Sequence, residues 1–234
     1  MIQAILWDID GTLLDFAPAE RAALRACFQQ FGLGPCPDEQ IARYAEINRT
    51  YWRRLERGEL TKPQILVGRF QDFFAAEGIA CPDIEAFNLL FQRHLGETVV
   101  FRDHGDQLIC SLKGTVLQYA VTNGTCVAQR RKLEKSGLSR LLDRVFISEE
   151  VGAEKPDPRF FDAVFSVLGE VPRDQVLIVG DSLTSDMQGG RNASIRCCWY
   201  NPQGETAPPD LSPDFIIQNL EQVRDILAQE NGTG

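Results

Sequence analysis

The sequence predicts an α/β protein: a Rossmann-like parallel-sheet core with a small helical cap domain inserted after the first strand. Three observations predict it. Beyond Lys113, short apolar runs alternate with amphipathic stretches, the texture of right-handed βαβ units and a mostly parallel sheet. One further apolar run, Ile2–Trp7, stands apart at the N-terminus. Between them, Pro18 to about Leu95 is helical in pattern, with no convincing strand. The core is therefore read over 1–15 plus 98–234 and the cap over 16–97.

In chain order, Ile2–Trp7 reads as a buried strand ending in Asp8-Ile9-Asp10-Gly11-Thr12. Ala22, Leu24, Cys27, Phe28 and Phe31 lie near helical spacing, and Gly32-Leu33-Gly34-Pro35 stops that run. Ile41–Leu55, Pro63–Ala76 and Ile84–Leu95 read as further helices between Gly- and Pro-containing breaks. The later strands fall at Val116–Val121, Val145–Ile147, Val176–Val179, Ile195–Tyr200 and Phe215–Ile217. Helices are expected between them at Val127–Ser136, Pro158–Leu168 and Ser185–Asn192. Gln203–Pro213 reads as a surface loop, Leu220–Ala228 as a closing helix and Asn231–Gly234 as a frayed end.

Composition narrows the function. The chain has 234 residues, 44% of them hydrophobic, which suffices for a packed core and excludes disorder of the whole. A formal net charge of −9 argues against a nucleic-acid polymer as partner. No apolar stretch reaches membrane-spanning length, and the N-terminus lacks the basic flank of a signal peptide. The seven cysteines are an odd count without a C-x-x-C pair, which points to reduced thiols and a cytoplasmic location. With only two histidines, catalysis is expected to run on carboxylates.

Four strand ends carry polar groups. Asp8 and Asp10 would stand at the mouth of a sheet, where open α/β folds bind ligands and a hard cation such as Mg²⁺ suits paired carboxylates. Helix capping by acidic residues is the alternative for this segment taken alone. Thr122-Asn123-Gly124-Thr125 could hold an anion through a hydroxyl and turn amides, or be an ordinary Asn-Gly turn. Lys155 in Glu154-Lys155-Pro156-Asp157-Pro158 would aim a cation at the same edge, or be a solvated lysine before a helix. Gly180-Asp181-Ser182-Leu183-Thr184-Ser185-Asp186 adds two carboxylates, either of which could be a cap. Acid–acid, hydroxyl, cation and acid–acid in that order make the inventory of a Mg²⁺-held phosphate.

Asp8-x-Asp10-Gly11-Thr12, Thr122-Asn123-Gly124, Lys155-Pro156 and Gly180-Asp181-x-x-x-x-Asp186 together resemble the four ordered motifs of the haloacid dehalogenase-like (HAD) hydrolase superfamily, over the whole chain. The helical insertion resembles that superfamily's type 1 cap. Ile47-Asn48-x-x-x-Trp52, Gly58-Glu59-Leu60-Thr61, Gly68-Arg69-Phe70 and Ile147-Ser148-Glu149-Glu150-Val151-Gly152 are similar to bacterial house-cleaning pyrimidine 5′-nucleotidases. The return to the core, often Pro-Gly-Ala in such relatives, reads Asp103-His104-Gly105-Asp106 here.

The resemblance implies a phosphatase of small phosphomonoesters, a monomer or homodimer, working through an aspartyl-phosphate. It makes Asp8 the nucleophile and Asp10 the general acid and base. Mg²⁺ would be held by Asp8, Asp10 (through its carbonyl) and Asp181, with Asp186 orienting a metal-bound water or Lys155. Thr122, Asn123 and Lys155 would stabilise the phosphoryl oxygens, Lys155 counting among the catalytic residues. Asn48, Trp52 and Arg69 would contact or frame base and sugar; the alternative is that Trp52 packs the cap and Arg69 is a solvated helical charge. A phosphatase for phosphoglycolate or a sugar phosphate shares the core and differs only in cap contacts. A dehalogenase has no such use for Asp10, and a non-catalytic phosphate-binding module would have lost a charged motif residue, whereas all are present.

Overall fold

The computed structural model describes residues 1–209 and 211–232. The chain folds into two compact units. The first holds Met1–Asp15, Val100–Cys126 and the described residues from Ser136 onward; the second holds Phe16–Val99 and Val127–Lys135.

The first unit is built on six strands: β1 Ala4–Trp7, β2 Leu117–Thr122, β3 Arg144–Ile147, β4 Val176–Gly180, β5 Arg196–Tyr200 and β6 Phe215–Ile217. Their order is β3-β2-β1-β4-β5-β6 and every pairing is parallel. The chain winds outward from β1 through β2 to β3, then crosses back to β4 on the other side of β1. The carboxyl ends of β1 and β4 therefore flank the switch point, where such sheets leave a crevice for ligands. Burial explains why β1 and β4 read as unbroken apolar runs. Every residue of β1 and of β4 is buried, as in a sheet covered on both faces. Leu6, Val121, Val176, Ile178, Phe160, Phe161 and Val164 share one core cluster.

Helices α5 Gly105–Leu112, α7 Leu138–Leu141, α8 Ser148–Val151, α9 Pro158–Leu168, α10 Gln188–Asn192 and α11 Val223–Asn231 complete this unit. The sequence pattern has no counterpart for α5, α7 or α8. The last two are single turns of four residues, too short to show a period. The expected helix 185–192 divides: Leu183–Met187 is a π-helical turn before α10. Ser182 Oγ accepts from Ser185 N at 3.1 Å and Asp186 Oδ2 accepts from Ser182 N at 3.1 Å, so side chains claim the amides of that turn. Asn231 is a second correction. Expected in a frayed end, it instead finishes α11, and its Oδ1 accepts from Ile2 N at 2.7 Å. The rest of that expectation, on Thr233 and Gly234, lies outside the described residues, as does Asp210 of the expected loop. At the return to the core, Asp103 and His104 both take left-handed backbone (φ 45° and 54°). Asp103 Oδ2 accepts from Tyr200 Oη at 2.8 Å and from Leu220 N at 3.0 Å, which fixes this turn without a proline.

The second unit contains α1 Phe16–Gln30, α2 Asp38–Glu56, α3 Lys62–Glu77 and α4 Ile84–Leu95, joined by the middle of α6 Cys126–Ser136. Its core is aromatic: Phe28, Tyr44, Phe70, Phe73, Phe74, Phe87 and Phe91 are all buried in one cluster. Tyr44 stacks on Phe70 with ring centroids 5.1 Å apart and meets Phe91 edge-on at 5.5 Å. Thr61 and Gln64 form a capping box at the start of α3, and Gly78 closes it in left-handed conformation.

Candidate active site

The site begins where β1 runs out. Asp8 N still pairs with Val179 O at 2.9 Å, so the carboxylate is set by the sheet itself. The next residues turn back tightly, with Gly11 N bonded to Leu14 O and Leu14 N to Ile9 O, each at 2.8 Å. Gly11 is required here. Its φ is +99°, and a Cβ would stand 2.6 Å from Asp181 Oδ2. Asp10, in this turn, is half-buried.

Lys155 is 1% exposed and spends its ammonium on three acceptors: Asp8 Oδ1 at 2.8 Å, Asp186 Oδ1 at 2.6 Å and Val121 O at 2.7 Å. Burial alone would push this ammonium down, but Asp186 and Asp8 outweigh burial and hold it above the ordinary lysine range. Asn123, in the loop after β2, clamps the lysine backbone from both sides. Its Oδ1 accepts from Lys155 N at 2.9 Å and its Nδ2 donates to Lys155 O at 2.8 Å. Thr122 is buried, and its hydroxyl accepts from Gly124 N at 3.1 Å, which shapes the same loop.

Asp186 lies directly over Gly180, where a Cβ would stand 2.3 Å from its carboxylate. Asp181, at the end of β4, reaches solvent as a residue, yet protein crowds its carboxyl. That lost hydration raises its pKa well above the usual carboxylate range, and the charges of Asp8 and Asp186 raise it further. Asp8 is pushed up to about 7, first by burial and then by Asp186, against the pull of Lys155. One carboxylate oxygen from each of Asp8, Asp181 and Asp186 lies within 4.8 Å of the other two. Three acidic groups beside one lysine give the cluster more acid than base.

Sequence reasoning missed two residues. Thr12 is fully buried, its Oγ1 accepting from Asp181 N at 3.0 Å and lying 3.1 Å from both Asp8 Oδ2 and Asp181 Oδ1. In the first motif it stands only as a turn residue; its bridging depends on β4 lying beside β1. Trp199 Nε1 donates to Asp181 O at 2.9 Å, and no local pattern in the sequence signals this.

The candidate specificity residues belong to the helical unit and find partners within it. Arg69 is 1% exposed; its Nη1 donates to Asn48 Oδ1 at 2.8 Å and its Nη2 to Asn88 Oδ1 at 3.1 Å. Its guanidinium lies over the Phe70 and Phe91 rings, 5.0 and 5.4 Å from their centroids. Asn48 Nδ2 in turn donates to Glu20 Oε1 at 2.8 Å. Burial pushes the Glu20 carboxyl up to about 7, against the pull of Asn48 and Arg69. Trp52 is half-buried against a separate apolar cluster that contains Tyr51, Leu55 and Ile65.

The fold and the site are those of a hydrolase built on a parallel sheet, with a lysine buried among aspartates at the switch point. The family model described as haloacid dehalogenase-like hydrolase matches residues 5–200, and the chain belongs to that family. It is 34% identical over 229 residues to the HAD-hydrolase YfnB of Bacillus subtilis, covering 98% of this chain and 97% of the relative. It is 31% identical over 226 residues to the pyrimidine 5′-nucleotidase PynA of Streptococcus pneumoniae, covering 95% of this chain and 94% of PynA. A crystal structure of YfnB bound to magnesium superposes with a TM-score of 0.90 at 33% identity, over 97% of this chain and 98% of that one. Among the described residues, no helix is long and apolar enough to cross a membrane.

Proposed function

We propose that this protein is a Mg²⁺-dependent phosphatase of small phosphomonoesters that acts through an aspartyl-phosphate on Asp8, with pyrimidine nucleoside 5′-monophosphates as its substrates. The observation that carries the reading is the seating of Asp8. One oxygen is bonded to the Lys155 ammonium and the other faces the Thr12 hydroxyl, at the end of the strand that flanks the switch point. The likeness to PynA supports the nucleotide as substrate, and the YfnB crystal structure supports the metal.

The donor set suits a hard cation. All candidate side-chain ligands are carboxylate oxygens, their mutual repulsion is not cancelled by the one lysine among them, and Gly11 keeps space beside Asp181 that a side chain would fill. Asp8, Asp181 and the Asp10 carbonyl would hold Mg²⁺, and Asp186 would orient Lys155 at 2.6 Å. The ion would supply charge neutralisation that lets a dianionic phosphate approach a carboxylate.

In the first step an Asp8 oxygen attacks phosphorus, the ester P–O bond breaks, and Asp10 gives its proton to the departing alkoxide. In the second, Asp10 takes a proton from water, the hydroxide attacks phosphorus, and the Asp8–phosphorus bond breaks to release phosphate and restore the carboxylate. Lys155 fixes the attacking oxygen and balances charge on the transferring group. The Thr122 hydroxyl and the Asn123 backbone N–H complete the phosphate cradle, while the Asn123 side chain keeps Lys155 in place. Substrate choice falls to the helical unit. For Asn48 and Arg69 to touch substrate directly, the partners they hold would have to be exchanged.

A panel of phosphate esters assayed with and without Mg²⁺ tests the reading. It should show Mg²⁺-dependent release of phosphate, fastest for pyrimidine monophosphates. Equal rates for phosphoglycolate or sugar phosphates would overturn the nucleotide assignment, and no release from any ester would overturn the phosphatase.

A further inference from the structure

Asp181 follows the last residue of β4, and neither polar group of its backbone is held by the sheet. Its N–H donates to Thr12 Oγ1 at 3.0 Å, and its C=O accepts from Trp199 Nε1 at 2.9 Å. Two side chains from neighbouring elements, the loop after β1 and strand β5, thus clamp the residue from both ends. Trp199 pairs in register with Gly180, so its indole reaches one residue past the end of its own pairing to find that carbonyl. It is 3% exposed, and a buried indole N–H requires an acceptor. The carboxylate of Asp181 remains at the open mouth, and among the described residues the Thr12 hydroxyl is the side-chain partner that fixes its direction.

We infer that Trp199 is a positioning residue that aims the Asp181 carboxylate at the divalent cation, acting through the Asp181 carbonyl. The inference rests on the metal reading proposed above. Its physical basis is that a ligand's affinity depends on how firmly its orientation is fixed before the ion arrives, and outer partners that fix it matter nearly as much as the ligands. Without the indole N–H, the backbone of Asp181 loses one of its two side-chain anchors. The carboxylate then has to be ordered at the moment of binding. Bulk is not the point: the same ring without its donor should pack equally well and position poorly.

Mn²⁺ binding to the full chain, followed by electron paramagnetic resonance, gives a readout independent of turnover. Trp199→Phe should weaken Mn²⁺ by about 10-fold, the lower end of what loss of an outer partner does to metal affinity. Replacing Trp199 by benzothienylalanine, which sets sulfur where the N–H stands and keeps the shape, should weaken it equally with an unchanged metal-free melting temperature. That isosteric variant carries the test if Trp199→Phe fails to fold. Trp7→Phe is the packing control, because Trp7 is also fully buried but donates to Gln118 Oε1 at 3.3 Å; its Mn²⁺ affinity should match wild type. Wild-type affinity in the benzothienylalanine protein overturns the inference while leaving the metal site standing. A wild-type chain that binds no Mn²⁺ overturns the metal reading, and the inference with it.

Discussion

Two of the long cationic side chains that the chain buries, Lys155 and Arg69, are buried in ways that differ in kind. In the sheet unit, Lys155 meets two carboxylates directly, at 2.8 and 2.6 Å, and a third acid stands beside them. In the helical unit, Arg69 lies between two amide oxygens and two phenyl faces, and it reaches the Glu20 carboxylate only through Asn48. The first cluster has more acid than base and opens at a strand end, so it is complete only with a further cation. The second is closed on itself and ties four helices by Glu20 of α1, Asn48 of α2, Arg69 of α3 and Asn88 of α4. A buried charge therefore does not mark a reactive site by itself. Excess charge at the edge of a sheet does.

Substitutions in the two clusters should separate cleanly. Asp8→Asn should reduce turnover by at least about 10⁴-fold, the scale on which removing a nucleophile acts, with the protein still folded by circular dichroism. Residual activity near wild type, free of deamidation, would break the contrast at its strongest point. Lys155→Met should cost about 3–5 kcal/mol of stability, because Asp8 and Asp186 lose their buried partner. Denaturant unfolding of the metal-free protein reads this directly. Saturating Mg²⁺ should return part of that loss, since a cation can replace the missing charge.

In the helical unit the expected effect is smaller and of opposite sign. Glu20 holds its proton up to about pH 7 in the folded chain, whereas its ordinary pKa is 4.5. The folded state thus binds the proton more tightly than the unfolded one, and stability falls as pH rises from about 4.5 to 7. Glu20→Gln, which keeps an acceptor for Asn48, should stabilise the protein by up to about 3 kcal/mol at pH 8 and by little at pH 4. Thermal melts at both pH values check it; a variant no more stable than wild type at pH 8 would make Glu20 part of a tighter ion pair with Arg69. The smallest effect belongs to Arg69→Met, which should leave Mn²⁺ affinity unchanged although it weakens the unit. A change in Mn²⁺ affinity there would show that the second cluster is not closed.

Much of this contrast is legible in the sequence, but unevenly. β1 and β4 are readable because a strand buried on both faces leaves an unbroken apolar run, and the polar residues after it then stand out. Asp8 and Asp181 stand out in that way; Lys155 and Asp186 lie further beyond their strands, and the order of motifs joins them to the first two. Helix α5, with its Gly105 start and eight residues, is too short to show a period. The π-helical turn before α10 is hidden because it depends on Ser182 and Asp186 bonding locally rather than on apolar spacing. Asn123 reads as a backbone donor, yet its side chain clamps Lys155, a residue 32 positions away. The roles of Thr12 and Trp199 depend on which strand lies beside which, information that no local pattern carries. The burial of Asn48 and Arg69 is equally out of reach, since helical spacing gives a face and not the partner that covers it.

As the proposed nucleophile, the Asp8 carboxylate would form a covalent bond to phosphorus. The chain can be mixed with an aryl phosphate and Mg²⁺, quenched in acid during turnover, and reduced with borohydride, which converts an aspartyl-phosphate to homoserine. Peptide sequencing should then find homoserine at position 8 and nowhere else. Turnover with an unmodified Asp8, or homoserine at another aspartate, would rule out Asp8 as the nucleophile.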